Sequence, residues 1–225
     1  MLAVVLLAGC ASGVQADGGV TASERNRTMQ NQTSDLARKL TSRAYGDFFV
    51  LPAHEQTIER VWADPQNRPV LEALVADPGQ PVEARFLAAE VLFARDFTFT
   101  SRVPPAVVAE VYARALEQNL TGMANSWGLL YEHGDAGPVG IRFVMLGEPA
   151  VPALSRLFDD DRAPLIYGGS KEATVGNSYH YRIKDFAAYY LGRIRGIPVE
   201  FHRDPAERDQ EIARLKARLS AQPAR

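Results

Sequence analysis

The stretch Ile183-Lys-Asp-Phe-Ala-Ala-Tyr-Tyr-Leu-Gly-Arg-Ile194 decides the fold class. Its apolar side chains recur at intervals of three and four residues, at Ile183, Phe186, Ala187, Tyr190, Leu191 and Ile194. This spacing places them on one face of an α-helix, and that face must pack against a neighbouring element. We therefore predict a helix here that ends at Gly196, since glycine readily takes up the backbone conformation that closes a helix.

The same periodicity predicts helices along most of the chain. A last helix begins with Asp204 as the cap, Pro205 in the first turn and Glu207 in a position that resembles a capping box. Strand signals are limited to two short stretches, 97–100 and 197–201, which we interpret as connectors. The fold class is therefore all-α. The other predicted helices cover 34–49, 53–63, 68–76, 81–95, 105–120, 137–146 and 149–158.

Two segments of the chain are repeated. Pro69-Val-Leu-Glu-Ala-Leu-Val-Ala-Asp77 aligns with residues 152–160 at an offset of 83, and Arg85–Leu92 aligns with Lys184–Leu191 at an offset of 99. Each unit is a short helix that ends in Asp, followed by a helix with an Ala-Ala pair. Small paired residues let two helix backbones approach closely. The difference of 16 between the offsets predicts a 16-residue insertion between the helices of the second unit.

These units resemble HEAT and HEAT-like (phycobilisome-lyase-type) repeats. Residues 147–154 look like the opening of the first helix of such a repeat, and residues 82–92 look like its second helix. The resemblance covers about 69–194 and implies a HEAT-like α-solenoid of stacked antiparallel helix pairs. It also implies that Arg182 and Lys184 pair with an Asp, for which Asp160 and Asp185 are the candidates. A non-repetitive helical bundle remains the alternative.

The chain opens with an apolar run, Leu2–Ala8, that ends at Gly9 and Cys10. As a helix this run is about 10 Å long, too short to span a bilayer, and it is typical of a secretory signal. Its end resembles the lipobox of bacterial lipoproteins, which implies cleavage after Gly9 and a lipid on Cys10. The family pattern also has a positive residue before the run, which this sequence lacks. A buried N-terminal helix is the alternative.

The residues after Cys10 predict the membrane to which the protein is sorted and the division of the chain into segments. Ala11 and Ser12 lack the Asp that favours retention in the inner membrane, so the resemblance implies the outer membrane, facing the periplasm. Residues 11–33 are polar and show no apolar period, which predicts a flexible tether. We therefore expect a signal peptide over 1–9, a lipidated cysteine with its tether over 10–33, and a HEAT-like helical domain over 34–222.

The predicted insertion lies within residues 162–181, and this segment is the candidate binding site. Aromatic and flexible polar side chains together are typical of recognition surfaces. A surface loop that folds back over the helix ends is the alternative. The candidate partner-binding residues are Tyr167, Lys171, Asn177, Tyr179, His180 and Tyr181.

The composition argues against several classes of partner and ligand. The 225 residues carry 25 Lys and Arg against 27 Asp and Glu, which argues against a nucleic-acid partner. The single Cys and the four scattered His predict no metal and no cofactor. We expect a non-enzymatic protein-binding or scaffolding module that is lipid-anchored and contacts an envelope protein or peptide. The alternative is an envelope hydrolase or lyase-like enzyme that uses Glu132, His133 and the 162–181 segment.

Overall fold

The computed structural model describes residues 21–49, 54–132, 136–169 and 172–221. Within these ranges the chain forms eleven α-helices and several short 3₁₀ turns, with no β-strand, which confirms the all-α class. The first six helices are α1 (Ala22–Thr41), α2 (Tyr45–Phe49), α3 (His54–Trp62), α4 (Asn67–Ala76), α5 (Val82–Arg95) and α6 (Pro105–Glu117). The other five are α7 (Ile141–Leu146), α8 (Val151–Ser155), α9 (Glu172–Asn177), α10 (Ile183–Arg195) and α11 (Pro205–Ala221).

Helix α1 begins twelve residues before Ser34, the predicted start of the helical domain. A capping box fixes this start: the Glu24 amide donates to the Thr21 hydroxyl (3.2 Å), and the Thr21 amide donates to the Glu24 carboxylate (2.8 Å). Residues 21–31 are exposed, so their polar composition suits a solvated helix. The predicted flexible tether is therefore wrong for residues 22–33. Its first part, Cys10 and the signal peptide lie outside the described residues.

Helices α5 and α10 form the centre of the molecule. In α5 every residue from Ala84 to Phe93 is buried, because α1, α4 and α6 pack around it. In α10 the buried stretch runs from Ile183 to Gly192, apart from the partly exposed Lys184, beneath α7, α8 and α11. The Ala-Ala pairs of both helices are fully buried, as their small size allows. The helix predicted from the opening stretch is thus confirmed.

In each aligned unit a hydrogen bond joins the two helical segments, but different groups make it. In the first unit the Arg85 guanidinium donates to the Val75 carbonyl at the end of α4, through Nε (3.0 Å) and Nη2 (2.9 Å). In the second unit the Lys184 amide donates to the Asp160 carbonyl (3.1 Å). A side chain makes the bond in the first unit and a backbone amide makes it in the second, and Val75 and Asp160 are not aligned positions, so the two contacts are not equivalent.

Other predicted helices differ in their bounds. The helix predicted over 34–49 is interrupted after Thr41, and the chain turns before α2 begins at Tyr45. The Asp47 carboxylate accepts a hydrogen bond from the Ala44 amide (3.2 Å), which stabilises this turn. The connector predicted over 97–100 is a 3₁₀ turn, Phe97–Ser101.

Gly140 makes room for a core tyrosine just before α7. A Cβ atom at this position would overlap the Tyr190 hydroxyl and would lie 2.5 Å from the Trp127 carbonyl oxygen. The Tyr190 hydroxyl reaches the carbonyl oxygens of Trp127 and Ala136, the latter at 2.7 Å. This position thus excludes side chains larger than hydrogen, although its backbone conformation is an ordinary one (φ −61°).

Candidate functional site

The 162–181 segment is fastened to the helical body in several places. The Ile183 amide donates to the Arg162 carbonyl (2.8 Å), and the Ala124 amide donates to the Ile166 carbonyl (3.0 Å). The segment also contains helix α9, which the sequence did not predict. Its described residues therefore form a packed structure between α8 and α10.

The tyrosine rings of this segment face inward. Tyr167 and Tyr181 are 3% and 2% exposed, and burial raises the pKa of both hydroxyls. The Tyr167 hydroxyl donates to the Gly128 carbonyl (3.0 Å), while the half-buried Tyr179 stacks on Tyr181 with ring centroids 5.1 Å apart. The expectation that these rings form an exposed recognition surface is corrected for Tyr167 and Tyr181, because their apolar area is used in the core.

The other predicted binding residues have separate positions. Asn177 accepts a hydrogen bond from the Tyr167 amide (2.8 Å) and donates one to the Tyr167 carbonyl (2.9 Å), so it holds the segment together. His180 is exposed and has a positive φ of 50°, which places it at a turn before α10. Lys171 lies outside the described residues.

Arg208, which the sequence analysis missed, anchors the segment from α11. It is 1% exposed, and its Nη2 donates to the Tyr179 carbonyl (3.0 Å) while its Nε donates to Asp185 (3.1 Å). Its Nη1 donates to the carbonyls of His202 (2.8 Å) and Arg203 (3.0 Å). A buried guanidinium with this many acceptors ties three parts of the chain together.

A sequence signal for Arg208 exists. It lies four residues before Ile212 and seven before Leu215, on the same helix face as these two buried residues. A charged residue on an apolar stripe is a candidate for a buried ion pair, since an unpaired charge is costly in the core.

The ion pairs of Arg182 and Lys184 match only in part those that the resemblance to HEAT-like repeats implies. Arg182 Nη2 lies 2.9 Å from Asp185 Oδ1, as expected. Lys184 instead bonds Asp161 (2.6 Å) and Asp209 (2.8 Å). The side chain of Asp160 accepts a hydrogen bond from Arg162, which lowers the pKa of that carboxyl group. These contacts hold α10 and α11 to the start of the segment.

The segment and the neighbouring Met123 carry exposed apolar side chains. Ile166 is 57% exposed, Val175 is 52% exposed, and the adjacent Met123 is 38% exposed. A Cβ atom on Gly168 would lie 3.2 Å from the Met123 sulfur, so Met123 borders the segment. We call these three residues the insert surface. Only two other large apolar side chains in the described ranges, Met29 and Met145, are comparably exposed.

The enzyme alternative uses Glu132, His133 and the 162–181 segment, and the structure describes only part of this set. Leu130–Glu132 forms a 3₁₀ turn, but the Glu132 side chain and His133 are not described. The residues that are described contain no group of three or more His, Cys, Asp or Glu side chains arranged to hold a metal ion.

A second candidate site is a buried titratable cluster between α5 and α6. Glu90 is 4% exposed and accepts a hydrogen bond from the Tyr112 hydroxyl, with Arg142 Nε at 3.4 Å and Tyr45 nearby. Burial raises the pKa of Glu90. Perturbed carboxyl groups often mark functional sites, yet Tyr45, Glu90 and Tyr112 are all closed to solvent. We therefore interpret the cluster as structural.

No family model, curated protein or solved structure matches this chain. Among the described helices, none combines the length and the apolar character needed to cross a membrane.

Proposed function

We propose that the protein is a lipid-anchored envelope lipoprotein that acts as a non-enzymatic protein-binding or scaffolding module. The lipid anchor is on Cys10, in a segment that resembles a lipobox. The protein is anchored in the outer membrane and faces the periplasm. The helical body is the binding part, and its partner is an envelope protein or peptide.

We infer that the body is built from HEAT-like helix pairs. Two features support this architecture: the aligned sequence units and the buried Ala-Ala pairs of α5 and α10. In this arrangement α4 and α5 form one unit, and α8 and α10 form the next. The 162–181 segment is an insertion within the second unit.

The insert surface is the observation that carries the binding function. Exposed apolar side chains are suited to a protein partner when buried side chains fix their segment to the helical body, because little conformational entropy is then lost on binding. Tyr167, Asn177 and Arg208 supply that support. The tyrosines therefore position the binding residues, and Ile166 and Val175 make the contact.

The test is quantitative crosslinking and affinity capture from membranes, with the double variant Ile166→Ser, Val175→Ser. We expect the wild-type protein to capture a partner in a fixed stoichiometry, and the double variant to bind this partner about thirtyfold more weakly. Each substitution removes about half of an apolar side chain from the interface, which is worth roughly 1 kcal/mol.

Met145→Ser is the matched control, since Met145 is 52% exposed on α7 and lies outside the insert surface. It should leave capture unchanged. Equal capture by the wild type and the double variant would refute the assignment of the binding surface. Absence of any stoichiometric partner would refute the binding function itself.

A further inference from the structure

Residues 160–168 run as an extended segment along the helical body. The carbonyl groups of alternate residues in this segment accept hydrogen bonds from the body at distances between 2.8 Å and 3.2 Å, and these residues are Asp160, Arg162, Pro164, Ile166 and Gly168. The donors are three backbone amides and two asparagine side chains. In an extended chain, the backbone groups of every second residue point toward the same edge. The even-numbered residues therefore form the edge that faces the body.

The burial of the side chains follows the same alternation. Leu165 and Tyr167 are 4% and 3% exposed, whereas the intervening Ile166 is 57% exposed and Pro164 is also exposed. Side chains on opposite faces of an extended chain give this period of two. The segment thus has the geometry of a β-strand, although no second strand pairs with it among the described residues.

Asn177 occupies the opposite edge of the segment at one position. Its side-chain amide accepts a hydrogen bond from the Tyr167 N–H (2.8 Å) and donates one to the Tyr167 carbonyl (2.9 Å). A residue of a neighbouring β-strand exchanges the same pair of bonds with the residue opposite it. An amide group therefore fits this edge in the way that the backbone of a second strand would.

The same edge continues from Tyr167 to Leu165, Ala163 and Asp161. The backbone N–H and carbonyl groups of these last three residues make no hydrogen bond to any described residue. Ala163 and Asp161 are exposed, so a ligand reaches them from solvent. Their alternating donors and acceptors complement another extended backbone, whereas a helix keeps its own backbone groups bonded and cannot pair with them.

We propose that an extended segment of the partner protein binds this edge as an added β-strand. It exchanges hydrogen bonds with Ala163 and Asp161, lies next to Asn177, and covers the exposed Ile166 side chain. This inference rests on the proposed binding function and specifies how the partner binds. Ile166 belongs to the insert surface, so the edge and that surface form one site.

The experiment measures fluorescence anisotropy of a labelled, end-blocked peptide, Lys-Thr-Val-Thr-Val-Thr-Lys, with the full chain. A companion peptide carries N-methyl groups on its third and fourth residues, which blocks both edges of the peptide. The protein variant Ala163→Pro removes an N–H group from the edge, and Ala163→Ser is the matched control that keeps it. Because the Ala163 N–H bonds no described residue and proline favours an extended residue before it, the proline is compatible with the fold.

We expect saturable binding of the unmethylated peptide to the wild type and to Ala163→Ser, with equal dissociation constants. Ala163→Pro should weaken this binding at least about tenfold, because a donor is lost and the proline ring lies where the added strand packs. The methylated peptide should bind the wild type at least about tenfold more weakly, and this result does not depend on the folding of a variant. Absence of saturable binding, or equal binding by Ala163→Ser and Ala163→Pro, would overturn the proposal.

Partner capture from membranes separates this inference from the function on which it rests. If Ala163→Pro captures the partner as the wild type does, while the Ile166→Ser, Val175→Ser variant does not, the binding function stands and the added strand is wrong.

Discussion

At the scale of single residues, Glu90 is the group whose protonation most directly affects stability. Burial raises its pKa above the ordinary value of 4.5, although Tyr112 and Arg142 partly oppose this effect. Near pH 4.5 and below, the neutral carboxyl group is accommodated in the core at no electrostatic cost. As the pH rises toward the folded-state pKa, the unfolded chain releases its proton first, so the free energy of unfolding falls.

We predict that Glu90→Gln removes this contribution to the pH dependence. The amide keeps an oxygen that accepts from Tyr112, but it cannot ionise. The variant should gain stability relative to the wild type between pH 5 and pH 8, by about 1.4 kcal/mol for each tenfold difference in proton affinity between the folded and unfolded chains. Urea unfolding of both proteins at a series of pH values measures this.

The pH dependence due to Glu90 is read from the difference in free energy of unfolding between the wild type and Glu90→Gln. Asp77, Asp96 and Asp160 have lowered pKa values because of hydrogen bonds, so they contribute stability that is lost as the pH falls. These groups are the same in both proteins and cancel. Parallel stability curves for wild type and variant would contradict the assignment to Glu90.

Sequence patterns predicted single-residue roles only where local spacing determines them. Arg182 and Asp185 are three residues apart at the start of α10, so their pairing is local, and Asp185 was one of the two candidates that the resemblance implied. Tyr167 and Tyr181 are buried by residues distant in sequence, such as Gly128 and Phe201. A count of aromatic residues in a loop cannot distinguish rings that face a partner from rings that face the core.

At the scale of helices, Arg208 determines how α11 is attached to the body. We predict that Arg208→Met lowers the free energy of unfolding by about 3 kcal/mol. The substitution leaves Asp185 with Arg182 alone and leaves the carbonyls of Tyr179 and His202 without this donor. Urea unfolding gives the total loss, and hydrogen exchange shows whether α11 loses protection first.

Arg214→Met is the comparison on the same helix. Arg214 is 62% exposed and pairs with Glu211, so its replacement should cost less than about 1 kcal/mol. Similar losses in the two variants would show that the buried contacts of Arg208 do not hold α11.

The helices that the sequence predicted best are those with a wide apolar face. α5 and α10 have strong periodicity because neighbours surround them. The first half of α1 has no apolar face to detect, and its start depends on the Thr21–Glu24 capping box. The short helix α9 lies in a Gly-rich stretch of low helix propensity, and its packing against the body stabilises it.

At the scale of the whole molecule, the proposed anchor has a direct test. We predict that Cys10→Ser moves the protein from the membrane fraction to the soluble fraction, because the thiol is the proposed site of the lipid and the run before it is too short to span a bilayer. Fractionation followed by intact-mass measurement checks both the location and the acyl chains. Ser12→Ala should remain with the membrane; equal membrane association of Cys10→Ser would contradict lipid anchoring.

The all-α fold class could be predicted from the sequence, whereas the packing of the helices against one another could not. Periodicity reports that α10 has a buried face, but it does not report which helices cover that face. Those choices depend on contacts such as Tyr190 with Trp127, which are 63 residues apart. The spacing of apolar residues within one helix does not indicate long-range contacts of this kind.

The space that Gly140 leaves for Tyr190 has a consequence for how this protein can evolve. A Cβ atom at position 140 would lie 2.3 Å from Tyr190 Cζ and 2.5 Å from the Trp127 carbonyl oxygen, so a side chain there requires a smaller residue at position 190 together with a shift of the backbone at Trp127. The two positions are therefore expected to change together, with the tyrosine lost before the glycine. In a set of related sequences, that order of substitution would record the history of this part of the core.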